Sequence, residues 1–312
     1  MAEKTADSGL RAATRWTRRE FLRAAAKWSG AVGLAAAGYG GLFERSNVVL
    51  RRLDVTLDRL PEALDGLTVA QLSDFHYHAY FSAGVIRKAV ELAVGLQPDL
   101  VALTGDFVTV SEFQKYDQRS AEHAVPCAEL LAPLKPKLGV YAVLGNHDTF
   151  TDADLVAETL QSRGIHVLQN QALPVERNGA RIWMAGVRDV LAGFAKVEEA
   201  VAAIPSPEAT ILLAHEPDFA DHASRYPIDL QLSGHSHGGQ VRLPLLGPPM
   251  LPYLGRKYPW GFRKIRRTAL YTNVGLGTIV VPIRILADPE VTLITLRSGK
   301  SPVSRVYSVP QK

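Results

Sequence analysis

From about Val48 onward the chain alternates short, nearly continuous apolar runs with stretches of helical periodicity. The runs at 67–72, 99–104, 139–144, 181–185, 210–214, 229–232, 269–273 and 291–296 have strand length and little polar alternation. That pattern predicts strands buried on both faces. Apolar positions spaced three and four apart predict helices over 82–96, 121–131, 152–163 and 196–203. Thr151, with Asp154 three residues on, reads as the N-cap of the third helix, and Gly164 as its end. Strands separated by helices argue a layered α/β fold with a sheet covered on both sides. No repeat, low-complexity segment or Pro/Gly linker divides residues 46–312, so one domain is expected there, preceded by a distinct leader over 1–45.

One stretch breaks the alternation. Residues 243–260 carry too many prolines for a helix or a central strand and read as a long apolar loop. Arg256, Lys257, Arg263, Lys264, Arg266 and Arg267 follow closely. A loop of that length in a compact domain is usually functional. A structural lid and a wall facing substrate are both compatible with it.

The polar residues at the ends of the apolar runs carry the candidate chemistry. They are Asp74 and His76, Asp106, the run Asn146-His147-Asp148, His215 with Glu216, and His235-Ser236-His237 followed by Gly238, Gly239 and Gln240. In open α/β sheets the carboxyl ends of the strands form the ligand crevice. Imidazole, carboxylate and amide oxygen are the donors that Zn, Mn or Fe accept. A carboxylate can bridge two such ions, and the pair can clamp both oxygens of an in-line displacement and activate a water. Any one of these pieces is weak alone. Two histidines at i and i+2 in a glycine turn, however, have no packing reason to exist, and the ordered set disfavours a collection of satisfied core histidines.

Composition narrows the class. Hydrophobic residues make up 47% and charged residues 21% of the 312, enough for a packed core. The single cysteine, Cys127, excludes an internal disulfide and reads as a core residue. The formal net charge is +4, but residues 1–45 hold eight Lys or Arg against four acids, which is that whole surplus. The body is therefore neutral, and no nucleic-acid partner is expected.

The body resembles the calcineurin-like metallophosphoesterases, over about residues 53–296, and within them a bacterial exported branch whose last motif ends His-Gly-Gly-Gln. That resemblance implies a four-layer α/β/β/α sandwich and two divalent ions (Mn, Zn or Fe). It implies that Asp74, His76 and His237 hold one ion, that Asn146, His215 and His235 hold the other, and that Asp106 bridges them. It further implies His147 as the general acid beside the leaving group, with Asp148 orienting its ring. Two departures stand out: Thr109 replaces a frequent Asp in the second motif, and Thr149-Phe150 follow the third motif where basic groups are common. Phosphate charge then falls to the metals, to His147 and to Arg242 or Arg284. His78, two residues past His76, is expected in the pocket wall.

The leader resembles a twin-arginine export signal. Thr17-Arg18-Arg19-Glu20-Phe21-Leu22-Arg23 precedes a weakly apolar stretch over 24–43, and a polar restart comes at Glu44-Arg45-Ser46. Ala35-Ala36-Ala37 offers a small-residue cleavage site, whereas the apolar run over 28–43 is short for a membrane span, so cleavage and anchoring both stay open. No cysteine in it allows a lipoprotein. The resemblance implies the export machinery as a partner and a site in the periplasm or on the outer face of the membrane. The expected activity is that of a phosphodiesterase on phospholipid or lipid-linked phosphoesters. The alternatives are a phosphomonoesterase for small substrates and a membrane-anchored metal-binding protein without turnover.

Overall fold

The computed structural model describes residues 17–110, 118–299 and 304–309. The first 16 residues of the expected export signal lie outside them. In chain order the elements are α1 (Arg18–Leu42), β1 (Val49–Leu57), β2 (Thr68–Leu72), α2 (Ala83–Gly95), β3 (Leu100–Leu103), α3 (Gln118–Ala121), α4 (Ala124–Leu131), β4 (Val140–Ala142) and α5 (Asn146–Gln161). There follow β5 (Ile165–Val167), β6 (Gln171–Arg177), β7 (Ala180–Gly186), α6 (Val197–Val201), β8 (Thr210–Leu213), α7 (Ala220–Ala223) and β9 (Leu230–Ser233). The last four strands are β10 (Gly261–Ile265), β11 (Thr268–Thr272), β12 (Glu290–Ser298) and β13 (Ser304–Val309).

These strands form two sheets, seven strands in the order β13-β1-β12-β2-β3-β4-β5 and six in the order β10-β11-β9-β8-β7-β6. The apolar runs face inward and outward at once, as their unbroken hydrophobicity requires. Leu53, Val69, Leu100 and Ile294 of the first sheet meet Ile182, Ile211, Leu230 and Tyr271 of the second in the central core. The other face of the first sheet packs Leu72, Val101 and Leu103 on Ile86, Val90, Cys127, Leu131 and Leu160 of α2, α4 and α5. The outer face of the second sheet packs Ala185 and Leu212 on Val197 and Ala200 of α6. The result is a helix–sheet–sheet–helix sandwich in one domain, as expected.

All eight expected strands are present to within a few residues at each end. The five unforeseen strands are β1, β5, β6, β10 and β13. Four of them are sheet edges, and β1 lies next to an edge. Edge strands are buried on fewer sides and carry polar groups, so a search for continuous apolar runs misses them. Two helix expectations change. The helix expected over 121–131 is split into α3 and α4, because Pro126 fits the first turn of a helix but not its interior. The helix expected over 152–163 instead begins at Asn146 and breaks at Asp152, which has φ −145° and ψ 93°. Asp152 Oδ1, not Thr151, caps the second segment by accepting the Leu155 N–H at 3.0 Å. The Thr151 hydroxyl lies against the carbonyls of His147 and Asp148 instead.

α1 is a 25-residue helix. Its last turn meets the body, where Gly40 O accepts the Arg284 N–H at 3.2 Å. Among the described residues no helix is long and apolar enough to cross a membrane.

Candidate metal centre

β2, β3 and β4 run parallel in one sheet, and β8 and β9 run parallel in the other. The loops that leave their carboxyl ends are stitched to each other. Asp74 N–H donates to Gly105 O, His76 N–H to Asp106 O, and Gly234 N–H to His215 O. Across the sheets His235 N–H donates to Asp74 Oδ1 at 2.9 Å, and within the first sheet His147 N–H donates to Asp106 Oδ1 at 2.9 Å. These turns are tight. Asp74, His76, Asp106, His235 and His237 all have φ between 40° and 69°. Left-handed backbone is uncommon outside glycine, and a cluster of it marks a site whose surroundings over-determine it. Gly145 is required by approach: a Cβ there would lie 2.2 Å from Asp106 Oδ1.

The expected ligands converge. Asp74, His76 and His237 form one group, His76, Asp106 and His147 a second, and Asp106, His215 and His235 a third, with donor atoms within 4.8 Å of one another in each. Asp106 Oδ2 lies 3.4 Å from His76 Nε2 and 3.1 Å from His215 Nε2. His76 Nε2 and His237 Nε2 approach to 3.0 Å. Asn146 is buried on the turn beside His147, and its Oδ1 has no hydrogen-bond partner. Asp74 Oδ2 and His237 Nδ1 are likewise buried without partners. Buried polar atoms are nearly always satisfied, so bare oxygens beside converging imidazoles fit a set of cation donors.

Neighbouring groups set which ring nitrogen each histidine offers. His215 Nδ1–H donates to Thr104 O at 2.6 Å and turns Nε2 towards Asp106. His235 Nε2–H donates to Tyr253 O at 2.8 Å and leaves Nδ1 bare. His76 Nδ1 meets the Thr109 hydroxyl at 3.1 Å. Thr109 is therefore the partner of a ligand-type histidine, a role the sequence did not signal.

Burial dominates the electrostatics. It pushes His76 down to about 3, aided by the nearby charge of His147. It pushes His235 down to about 4, aided by His215, and holds His237 well below the usual imidazole range. His215 behaves oppositely: burial opposes its charge, but the Asp106 carboxylate overrides burial and holds it well above the usual range. Burial also pushes Asp106 up, but His215 and His147 override it and hold the carboxyl well below the usual range. Asp74 is raised to about 6 by burial.

Several expected roles are corrected by the placement. Asp148 does not touch the His147 ring. Its carboxylate accepts the backbone N–H groups of Asp106, Phe107, Val108 and Gly145 at 2.8–3.1 Å, and so ties the second motif to the third. The His147 ring is held instead by Val110 N–H, which donates to Nδ1 at 2.9 Å and leaves Nε2 to carry the proton. Arg284 is fully buried, and its guanidinium donates to the carbonyls of Val274, Gly277 and Ala287. Its donors are not presented to a substrate. They brace the loop under Asp74, where a Cβ on Gly275 would lie 2.5 Å from Asp74 Cβ. Arg242 donates from Nε to Gly238 O and stacks 4.1 Å over Trp260, behind the turn of His237. His78 stands beside the groups rather than in them, its ring 4.6 Å from Phe81 and its Nδ1 accepting the Tyr80 N–H. Glu216, fully buried, accepts N–H groups of Val190 and Leu191 and so anchors the loop after β7.

Comparison with known proteins agrees with this geometry. The model of the calcineurin-like phosphoesterase family matches residues 67–239. The chain is 32% identical over 288 residues to the uncharacterized metallophosphoesterase YkuE of Bacillus subtilis (strain 168), covering 90% of this chain and 98% of that protein. It is 33% identical over 231 residues to the phosphodiesterase YaeI of Escherichia coli (strain K12), covering 72% and 80% respectively. It is 34% identical over 261 residues to a transmembrane protein with metallophosphoesterase domain of Danio rerio, covering 79% of this chain and 57% of that protein. With its layered sandwich and its clustered histidines and aspartates, the chain belongs to the calcineurin-like phosphoesterase family and is a metal-dependent phosphoester hydrolase.

Proposed function

We propose that the chain is a two-metal phosphodiesterase that acts outside the cytoplasm on lipid-linked phosphoesters. One observation carries the two-metal reading: a single oxygen, Asp106 Oδ2, faces the imidazole of His76 on one side and that of His215 on the other. Asp74, His76 and His237 would hold one ion, and Asn146, His215 and His235 the other, with Asp106 shared. Such ions, of the Mn, Zn or Fe kind, supply Lewis-acid charge at the phosphoryl group and a nucleophile at neutral pH.

The remaining work falls to the protein. His147 is half-buried, with Nδ1 occupied by Val110 N–H, so Nε2 delivers a proton to the departing oxygen. Asp148 keeps the two motif loops at a fixed distance through its backbone bonds. Diester preference is supported by the phosphodiesterase named among the relatives. Export is supported by Arg18-Arg19 and the weakly apolar stretch behind them, which suit passage through the twin-arginine machinery.

The test is metal analysis of purified protein joined to turnover, with Mn added, of a lipid or nucleotide diester and of its matching monoester. Two equivalents of metal and faster diester hydrolysis are expected. A large monoester preference would overturn the diesterase reading, and metal binding without any hydrolysis would overturn the enzymatic one.

A further inference from the structure

Gln240 sits three residues past His237, and its side chain has an unusual amount to hold. Its Nε2 donates to the carbonyls of Ile279 and Val281 at 3.1 and 2.9 Å, while its Oε1 accepts the Ile279 N–H at 2.8 Å. Its own carbonyl accepts the Ile285 N–H at 3.0 Å. One buried amide therefore pins the segment 279–285 to the ligand turn. That segment leaves Val280 77% exposed, and Leu286, which follows it, 54% exposed.

Gly239, beside it, backs onto the Pro-rich loop, where a Cβ would lie 2.2 Å from Pro248 Cβ. That loop reaches the site through Tyr253 O on His235. Its own apolar side chains point away, with Leu245 fully exposed, Leu246 82% and Met250 80% exposed.

Two more segments join them. The last turn of α1 lies on the same segment, where Gly40 packs on Ile283 and Ile285, and then exposes Leu42 and Phe43. Tyr80 and Phe81, just past His76, are also exposed, and the Arg45 guanidinium lies 5.3 Å from the Phe81 ring. Four segments tied to the ligand loops or to one another thus display large apolar groups around one end of the sandwich. Exposed apolar surface rimmed by polar residues marks an interaction site.

We infer that this face docks on the surface of a lipid bilayer, with α1 seated at the headgroup and acyl boundary. α1 distinguishes lipid from a protein groove. It is continuous with the face, and its exposed Leu22, Trp28 and Leu34 fall on different sides of the helix at about 100° per residue. A one-sided groove cannot cover all three, and a helix at a lipid boundary also buries one face, so the basic groups carry the choice of lipid. Exposed Arg18, Arg19, Arg23 and Lys27 begin the helix, the pairing of basic and aromatic groups that suits anionic headgroups. The inference rests on the reading of the site as one for lipid-linked phosphoesters: docking by this rim would offer a headgroup to Asp106 without lifting it out of the bilayer.

The test uses full-length, Mn-loaded protein and vesicles of phosphatidylglycerol with phosphatidylcholine. Wild type is expected to sediment with the vesicles. Replacing Leu245 and Leu246 by Asp is expected to reduce partitioning by roughly tenfold or more, with Val280→Asp adding to the loss. Hydrolysis of a soluble chromogenic diester should be unchanged in these variants, which also shows that they fold. The inference is overturned by wild type that stays in the supernatant, or by a double variant that sediments as wild type, since α1 would then act alone. A vesicle-free dimer dissolved by the aspartates would overturn it too, because a second copy would then cover the face. Wild type that sediments but hydrolyses no diester would instead remove the proposed activity and leave docking standing.

Discussion

The two groups of ligand-type residues that meet at Asp106, the halves of the proposed metal centre, are built from the same residue types and are prepared differently. Around Asp74, His76 and His237 the imidazoles are pushed towards neutrality by burial, His76 to about 3. Around His215 the Asp106 carboxylate overrides burial and favours the charged ring. The first half presents bare nitrogens, whereas the second pairs the lowered His235 with a His215 that favours its proton. A buried imidazole is thus set by the balance of burial against the charges around it: His76 faces the same Asp106 oxygen as His215 and is lowered all the same.

The largest effect that can break this comparison comes at the residue both halves share. Asp106→Ala should lower turnover by roughly 10⁴ or more, because several kcal/mol of Lewis-acid stabilisation goes with the metals. Metal content should fall in both halves; loss of only one equivalent would show that Asp106 serves a single ion. Next is His147→Ala, expected to slow substrates with poor leaving groups by roughly 10²–10⁴ while metal content stays nearly intact. If both metals left that variant, His147 would be a ligand.

Arg284→Ala probes the floor beneath the first half. It leaves buried carbonyls of Val274, Gly277 and Ala287 without their donor and opens a cavity. A loss of about 2–4 kcal/mol in urea unfolding is expected, and a loss within a few tenths would return Arg284 to the phosphate-binding role expected from sequence. Thr109→Val removes the partner of His76 Nδ1 and should weaken metal affinity by roughly tenfold, in the first half alone.

The smallest effect is a difference in proton release. His215 is raised, so it holds its proton near neutrality and an arriving metal must displace it; affinity in that half should rise with pH. His76 and His237 are lowered, so they release almost nothing there. Their half should weaken only as pH falls through about 6, where Asp74 takes up a proton. Calorimetric titration in two buffers of different ionisation heat reads both. Equal proton release from the two ions would erase the distinction between the halves.

Much of this molecule is legible in the chain. The central strands are written as unbroken apolar runs because a sheet covered on both faces admits nothing else. Edge strands such as β6 and β10 are not, since one-sided burial lets polar residues through. The ligand types are legible because His-x-His in a glycine turn has no packing use and the other pieces recur in order at the ends of apolar runs. Their partners are not. Thr109, Val110 and Tyr253 reach the site by backbone or hydroxyl contacts that any residue could supply from the right place.

Sequence by itself determined the layered architecture, the order of the polar strand ends and the set of donors, all of which depend on local hydrophobic pattern and on residue chemistry. Only the tertiary structure decided which arginine is buried, which nitrogen each histidine offers, and that Asp148 holds backbone instead of a ring. Those depend on what lies within about 3 Å after residues far apart in the chain have been brought together, and hydrogen bonding at that range leaves no periodicity to read.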